Sequence, residues 1–336
     1  MTTPKPHIDW IDTAKGICIT LVVLNHVILY CGLKDQVPTV YYNFLSAFRM
    51  PLYFFLSGLF FRTYGGLIPF LRKKTNKLLI PYLFFFLLFS VAVPWAIYAL
   101  GGCLPYIDGI PTVPQLLMDF LYNSQMVNGP LWFLLCLFEI NTMFFMLNKL
   151  FSNEYHIVAS ATVIGIAGLL LSYFEIRLPV SLDTALTCMP FFCFGFYVRN
   201  HTQILYQSKA DGHLLLLSAL CGLICLLLAR HVQYVVNSFY RSSYFTAHLC
   251  GMAGTMMVIL LSKHIGRLPL ISYLGRYSII ILCTHVLILK AIISFLPVVD
   301  SYAALLVFVV IMACQFAIIP FCRRYLPYVT AQKEWL

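Results

Sequence analysis

The sequence predicts an all-α protein, a polytopic membrane bundle of about ten transmembrane helices. Of its 336 residues, 61% are hydrophobic and only 10% are charged, whereas soluble domains have about 45–50% apolar and about 25% charged residues. The apolar runs are also long and uninterrupted, as in 78–100 and 131–147. A membrane barrel would instead alternate over segments of about ten residues. These observations exclude a soluble enzyme and a barrel, and they leave a helical membrane protein.

Ten segments approach the roughly 20 apolar residues that a spanning helix needs. They are 12–33, 41–62, 77–100, 129–149, 155–174, 182–199, 213–230, 244–262, 269–293 and 301–321. We find neither an internal repeat nor a second domain, so residues 1–336 are interpreted as a single membrane domain. The absence of a repeat counts against the inverted-repeat transporters. No cleavable signal peptide is expected, because the first segment is long enough to span.

The distribution of charge predicts the orientation. The net charge is +10, and the lysines and arginines lie mainly between the apolar runs. If the N-terminus is cytoplasmic, most of them fall on cytoplasmic connections, as the positive-inside rule requires. Both termini are therefore predicted to be cytoplasmic. This arrangement accounts for the basic excess without a nucleic-acid partner.

The 12 cysteines lie mostly within apolar runs and include no C-x-x-C pair. Free cysteine in such surroundings behaves as a small hydrophobic residue. We therefore expect packing residues, and we predict no metal site.

Ionisable residues inside predicted spans are costly and are candidates for function. Lys15 and His26 are eleven residues apart on the first segment, which is about 1100° of helical rotation and a rise of about 16 Å. The two side chains therefore share one face of the helix. Two simpler interpretations stay open: Lys15 could extend to the interface beside Asp12, and His26 could make an interhelical hydrogen bond.

Other ionisable residues allow similar alternatives. Arg49 precedes Pro51 and could satisfy the carbonyl that a proline frees, or it could serve the site. Glu139 could orient a histidine or pair with an arginine. His285 is either a second functional group or a hydrogen-bonded core residue. His248 and Arg276 are nearer to helix ends, where extension to the interface is expected.

A basic cluster occupies the first predicted cytoplasmic connection. It consists of Arg72, Lys73, Lys74 and Lys77. Such clusters usually anchor the chain to anionic lipid. Clustered cations also suit the phosphates of a cytosolic cofactor.

Five motifs in order resemble the integral-membrane acyltransferase family three, near its fucose 4-O-acetylase-like branch. They are Asp12-Thr13-Ala14-Lys15-Gly16-Ile17 with His26 after ten intervening residues, Phe48-Arg49-Met50-Pro51-Leu52-Tyr53-Phe54-Phe55-Leu56-Ser57-Gly58, Lys74-x-x-Lys77 followed by Pro81-Tyr82, Gly129-Pro130-Leu131-Trp132-Phe133-Leu134, and Leu274-Gly275-Arg276-Tyr277-Ser278 with His285. They cover residues 9 to about 290. The departures are Lys15, Lys74 and Lys77, where many members have arginine. Lysine keeps the charge but loses the bidentate fork.

The resemblance implies a membrane O-acyltransferase of the bacterial cytoplasmic membrane. Such an enzyme moves an acyl group, commonly acetyl from acetyl-CoA, to a carbohydrate hydroxyl. The expected partners are acyl-CoA, a carbohydrate acceptor that is free or lipid-linked, and membrane lipid. No metal is expected.

The resemblance also suggests roles for individual residues. His26 would be the general base, with Glu139 orienting it. Lys15 would neutralise charge on the CoA arm, and the basic cluster would hold the nucleotide phosphates. Candidates for binding the acceptor or the oxyanion are Arg49, His285, Trp132 and Ser57.

Two other classes of function fit the physics of buried charge. A transporter or flippase of lipid-linked sugars would also place ionisable groups inside spanning helices. A membrane sensor or scaffold is a weaker alternative, since it has no need for a face that carries Lys15 and His26. Dependence on acyl-CoA separates an acyltransferase from both.

Overall fold

The computed structural model describes residues 8–101, 110–122, 128–205, 212–232, 244–296 and 300–336, and these contain helices but no strand. We number the helices α1 (Asp9–Tyr30), α2 (Thr39–Leu59), α3 (Leu67–Ala99), α4 (Val113–Tyr122), α5 (Trp132–Leu150), α6 (Glu154–Tyr173), α7 (Leu182–His201), α8 (Gly212–Ala229), α9 (Tyr244–Ile265), α10 (Pro269–Arg276), α11 (Ser278–Ile293) and α12 (Ser301–Tyr325). Helix α3 includes two π-helical turns, Thr75–Leu79 and Leu88–Ala92.

The helical membrane bundle predicted from composition is confirmed. In the described part of the chain, 8 helices are long and apolar enough to cross a membrane, or up to 9 if α10 and α11 form one broken span. The predicted number was about ten. The difference is α2, which has 21 residues but carries Asn43, Arg49 and several tyrosines. Much of α2 is buried by neighbouring helices, and Asn43 and Arg49 face protein.

Several connections and the segment after α12 meet at one end of the bundle. Thr13, near the start of α1, donates to Gly266 O at 2.7 Å and lies 2.8 Å from Ser272 Oγ. Lys73, near the start of α3, pairs with Glu334, and Lys77 lies within electrostatic range of Lys15. This is the basic end of the molecule, and the positive-inside rule predicts that it faces the cytoplasm; we refer to it below as the cytoplasmic end.

Helices α1 and α10 pack with their backbones in close approach. A Cβ added to Gly16 would overlap Ile271 O, and one added to Gly275 would overlap Asp12 O. Asp12 Oδ2 also accepts a hydrogen bond from Arg276 Nε at 3.1 Å. The first and last sequence motifs are therefore one packed unit. Arg276 is the last residue of α10 and its side chain is 45% exposed, which agrees with the expected extension to the interface, and it also pairs with α1.

Helices α2 and α7 make a second close approach. A Cβ on Gly58 would overlap Phe192 O, and one on Gly195 would overlap Phe55 O. Helix α2 also contacts α1, α8 and α9. This central position brings Arg49 and Tyr53 to the face of α1 that carries Lys15 and His26.

Candidate active site

Two histidines meet between α1 and α11. His26 Nδ1 lies 2.9 Å from Val22 O and 3.2 Å from His285 Nε2, and the ring centroids are 5.0 Å apart. His285 Nδ1 lies 2.7 Å from Ile281 O. His285 is fully buried, whereas His26 is half-buried.

These contacts assign the tautomers of both rings. A backbone carbonyl only accepts hydrogen bonds, so Nδ1 of His26 and Nδ1 of His285 each carry a hydrogen. His285 Nε2 is then an acceptor, and His26 Nδ1–H is shared between it and Val22 O. Since neutral imidazole has one N–H, His26 Nε2 is left with its lone pair. That is the state in which a histidine acts as a general base.

Lys15 lies about three turns nearer the cytoplasmic end of the same continuous helix, about 16 Å from His26 along the axis. Its side chain is half-buried, and Asp12 is within electrostatic range. Tyr53 Oη donates to the Lys15 carbonyl at 3.0 Å, and Tyr53 also hydrogen-bonds to Ser278. Tyr53 therefore ties α2 to α1 and to the start of α11.

The basic cluster lies at the cytoplasmic end, beside Lys15. Arg72 and Lys77 are exposed. Lys74 Nζ lies 5.6 Å from the centroid of the Phe70 ring, and Lys73 pairs with Glu334. The cluster thus offers several cations to an anion from the cytoplasm.

Arg49 is buried between α2 and α1. Its Nη1 donates to Leu21 O at 3.0 Å, and its Nη2 donates to Ser46 Oγ at 2.7 Å. The guanidinium lies within electrostatic range of His26. A cation at this depth can stabilise negative charge that develops beside the histidine pair.

Glu139 lies apart from the histidines. Its electrostatic neighbours include Asp183 and Tyr82, and its Oε2 is buried with no hydrogen-bond partner among the described residues. His26 contacts Val22, Tyr30 and His285 instead. We expected Glu139 to orient His26. In the structure, the residue that makes this contact is His285.

Two further predicted residues belong to the packing around the site. Ser57 Oγ accepts from Asn141 Nδ2 at 3.1 Å. The Trp132 ring stacks edge-on against Phe133 with centroids 6.1 Å apart, and Phe133 contacts Tyr53 at 5.7 Å. Trp132 is thus connected to Tyr53 through Phe133, whereas Ser57 pairs with Asn141 on α5.

His248 is buried and is not at the interface. Its Nε2 lies 2.9 Å from Thr187 O, and its ring stacks on Phe191. The expectation that it extends towards the membrane surface is wrong.

Sequence reasoning missed two residues. Tyr53 lies inside a quoted motif, but its bond to a backbone carbonyl on another helix has no sequence signal. Asn76 lies between Lys74 and Lys77 and is buried. A polar residue that is buried within a cationic cluster could have been noticed, but its partners lie about 260 residues away.

The fold and site define a polytopic membrane protein in which one helix carries a histidine that contacts a second histidine and a lysine that lies near a cationic cluster. A family profile described as an acyltransferase domain matches residues 8–321. The chain therefore belongs to this acyltransferase family.

Two curated relatives are similar to parts of the chain. The nodulation protein NolL of Sinorhizobium fredii is 30% identical over 228 residues, which cover 64% of this chain and 55% of NolL. The inner membrane protein YcfT of Escherichia coli is 39% identical over 72 residues, which cover 18% of this chain and 20% of YcfT. The chain thus spans about half of the first relative and a fifth of the second. No solved structure matches the chain.

Proposed function

We propose that the protein transfers an acyl group, acetyl being the simplest, from cytosolic acyl-CoA to a hydroxyl of a carbohydrate. The acceptor is a precursor of a surface polysaccharide or glycolipid, either free or lipid-linked. The observation that carries the proposal is the contact between His26 and His285, which leaves a lone pair on His26 Nε2. Membership of the acyltransferase family supports the reaction class.

His26 Nε2 takes the proton of the acceptor hydroxyl as that oxygen attacks the thioester carbonyl carbon. The new C–O bond forms, the C–S bond breaks, and the thiolate of CoA leaves. The imidazolium of His26 then returns the proton to the sulfur. While His26 is charged, its Nδ1–H keeps Val22 O and His285 Nε2 as acceptors, which stabilises the cation.

The other charged residues supply binding and electrostatic stabilisation. Arg49 is assigned to the oxyanion that forms at the thioester carbonyl. The basic cluster of Arg72, Lys73, Lys74 and Lys77 is assigned to the nucleotide phosphates, and Lys15 to charge along the arm. The gap of about 16 Å between Lys15 and His26 is similar in length to an extended pantetheine arm. A thioester anchored at the cytoplasmic end therefore reaches the base.

We place the protein in the bacterial cytoplasmic membrane. The apolar helices require a membrane, and both curated relatives come from bacteria, one of them an inner membrane protein. A cytoplasmic donor site then faces the compartment that holds acyl-CoA.

The test is release of free thiol by the purified protein in detergent, with acetyl-CoA and a panel of sugars and lipid-linked glycans. His26→Ala should lower acceptor-dependent release by about 10²-fold or more, because it removes the base. His156→Ala is the matched control, since His156 is an exposed histidine on α6. Full activity in His26→Ala would refute the assignment of the base. A folded protein that neither binds nor turns over acetyl-CoA would favour the transporter.

A further inference from the structure

The segment after α12 turns back onto the start of α3. Gln332 N and Lys333 N both donate to Pro327 O at 2.9 Å, and Thr330 N donates to Leu326 O at 3.2 Å. Thr330 is completely buried. Residues 326–336, which we call the C-terminal strap, therefore form a compact turn that is seated on the cytoplasmic end of the bundle.

Asn76 holds the strap in place. Its Oδ1 accepts from Trp335 N at 2.7 Å and Leu336 N at 2.9 Å, and its Nδ2 donates to Leu336 O at 3.2 Å and to Arg72 O at 2.9 Å. The amide is only 1% exposed, and an asparagine can accept and donate about this many bonds. Asn76 is thus saturated by the strap and by its own helix.

The strap also brings an acid to the basic cluster. The Glu334 carboxylate pairs with Lys73 Nζ, and both side chains stay partly exposed at 47% and 28%. Lys73 in turn lies within electrostatic range of Lys77, which is within range of Lys15. Glu334 is therefore an anion placed at the start of the row of cations that leads towards the interior.

We propose that the C-terminal strap is a lid on the donor site, in which Glu334 occupies the place on Lys73 that a donor phosphate takes. This inference rests on the proposed function. A phosphate carries more charge and more acceptor oxygens than one carboxylate, so it competes well for a lysine cluster. When the phosphates bind, Glu334 leaves Lys73, and Trp335 and Leu336 leave Asn76.

The lid has a second consequence, because Asn76 lies within the π turn Thr75–Leu79, between Lys74 and Lys77. Release of the strap frees the Asn76 side chain at the turn that contains Lys77 and directly follows Lys74. Donor binding and the geometry of the lysines are therefore coupled through one residue.

The first test is the affinity of coenzyme A for the purified full-length protein. Glu334→Gln should bind coenzyme A roughly two- to five-fold more tightly than wild type, as removal of an exposed competing ion pair implies. The matched control is Glu154→Gln, which removes an acid that pairs with His201 at 3.1 Å, away from the strap. In a Lys73→Gln background the Glu334→Gln effect should vanish, because the competition acts through Lys73.

The second test is hydrogen exchange of the strap amides with and without saturating coenzyme A. Trp335 and Leu336 should be protected in the free protein and should exchange faster with the ligand bound. Unchanged affinity in Glu334→Gln, or unchanged protection with ligand bound, would overturn the lid. Failure of wild type to bind coenzyme A would instead reject the donor assignment on which the lid depends.

Discussion

His285 is the residue whose placement most changes the picture of the site. Sequence analysis predicts that His285 binds the acceptor or the oxyanion. In the structure, its Nε2 lies 3.2 Å from His26 Nδ1. Its own Nδ1 is held by Ile281 O, so the ring cannot present a second donor to His26 while neutral. His285 therefore positions the His26 ring and fixes its tautomer.

We predict that His285→Ala lowers kcat about 10- to 100-fold, because the tautomer and orientation of His26 are no longer imposed. His285→Gln should recover part of the loss, since its carbonyl oxygen can accept from His26 Nδ1–H. The measurement is kcat and KM for both variants, with thermal unfolding to confirm folding. Equal loss in the two variants, with both folded, would argue against a positioning role.

At the scale of elements, the helices followed from apolar length, but their interruptions did not. Residues 269–293 read as one span, yet α10 and α11 meet at 87°. No proline marks that bend. It arises because α10 lies across α1, where Gly16 and Gly275 allow backbone contact. Helix α3 likewise begins at Leu67, ten residues before the predicted span. The prediction counted only apolar residues, so it left out the first turns, which are helical but carry Arg72, Lys73 and Lys74.

The contact between α1 and α10 yields a stability prediction. Gly16→Ala should destabilise the protein by about 1–3 kcal/mol, because a methyl group must displace the Ile271 carbonyl. Gly212→Ala at the start of α8 is the control, since nothing lies within 4 Å of its added Cβ. Thermal unfolding in the same detergent gives the comparison. A Gly16→Ala protein as stable as Gly212→Ala would show that the two helices are free to separate.

The site was partly predictable for the same reason as the helices. The spacing of Lys15 and His26 fixed a shared face, because helical geometry is local. The partners of that face are not local: Tyr53 comes from α2 and His285 from α11. The residue that contacts His26 is His285 rather than Glu139, whose electrostatic neighbours include Asp183 and Tyr82, and no sequence interval encodes such a pairing.

For the whole molecule, the arrangement of charge predicts that the strap faces the cytoplasm and that the connection between α1 and α2 faces the other side. In intact cells, a membrane-impermeant maleimide should label Lys34→Cys but not Lys333→Cys, with the wild-type protein as the background. Permeabilised cells should allow both to react. Labelling of Lys333→Cys in intact cells would show that the orientation is the opposite of the predicted one.

The position of His26 within α1 bears on how the two substrates meet. The helix ends at Tyr30, so the base lies only about 6 Å of helix from the outer end, while Lys15 marks the opposite, cytoplasmic side. An acceptor that approaches from outside would reach His26 near the outer end of α1. The nucleotide of the donor would stay at the cytoplasmic end, and only the arm that carries the thioester would extend to His26. The flexible arm would then carry the acyl group across about half of the hydrophobic thickness, from Lys15 to His26, and neither the nucleotide nor the sugar would have to enter the hydrocarbon core.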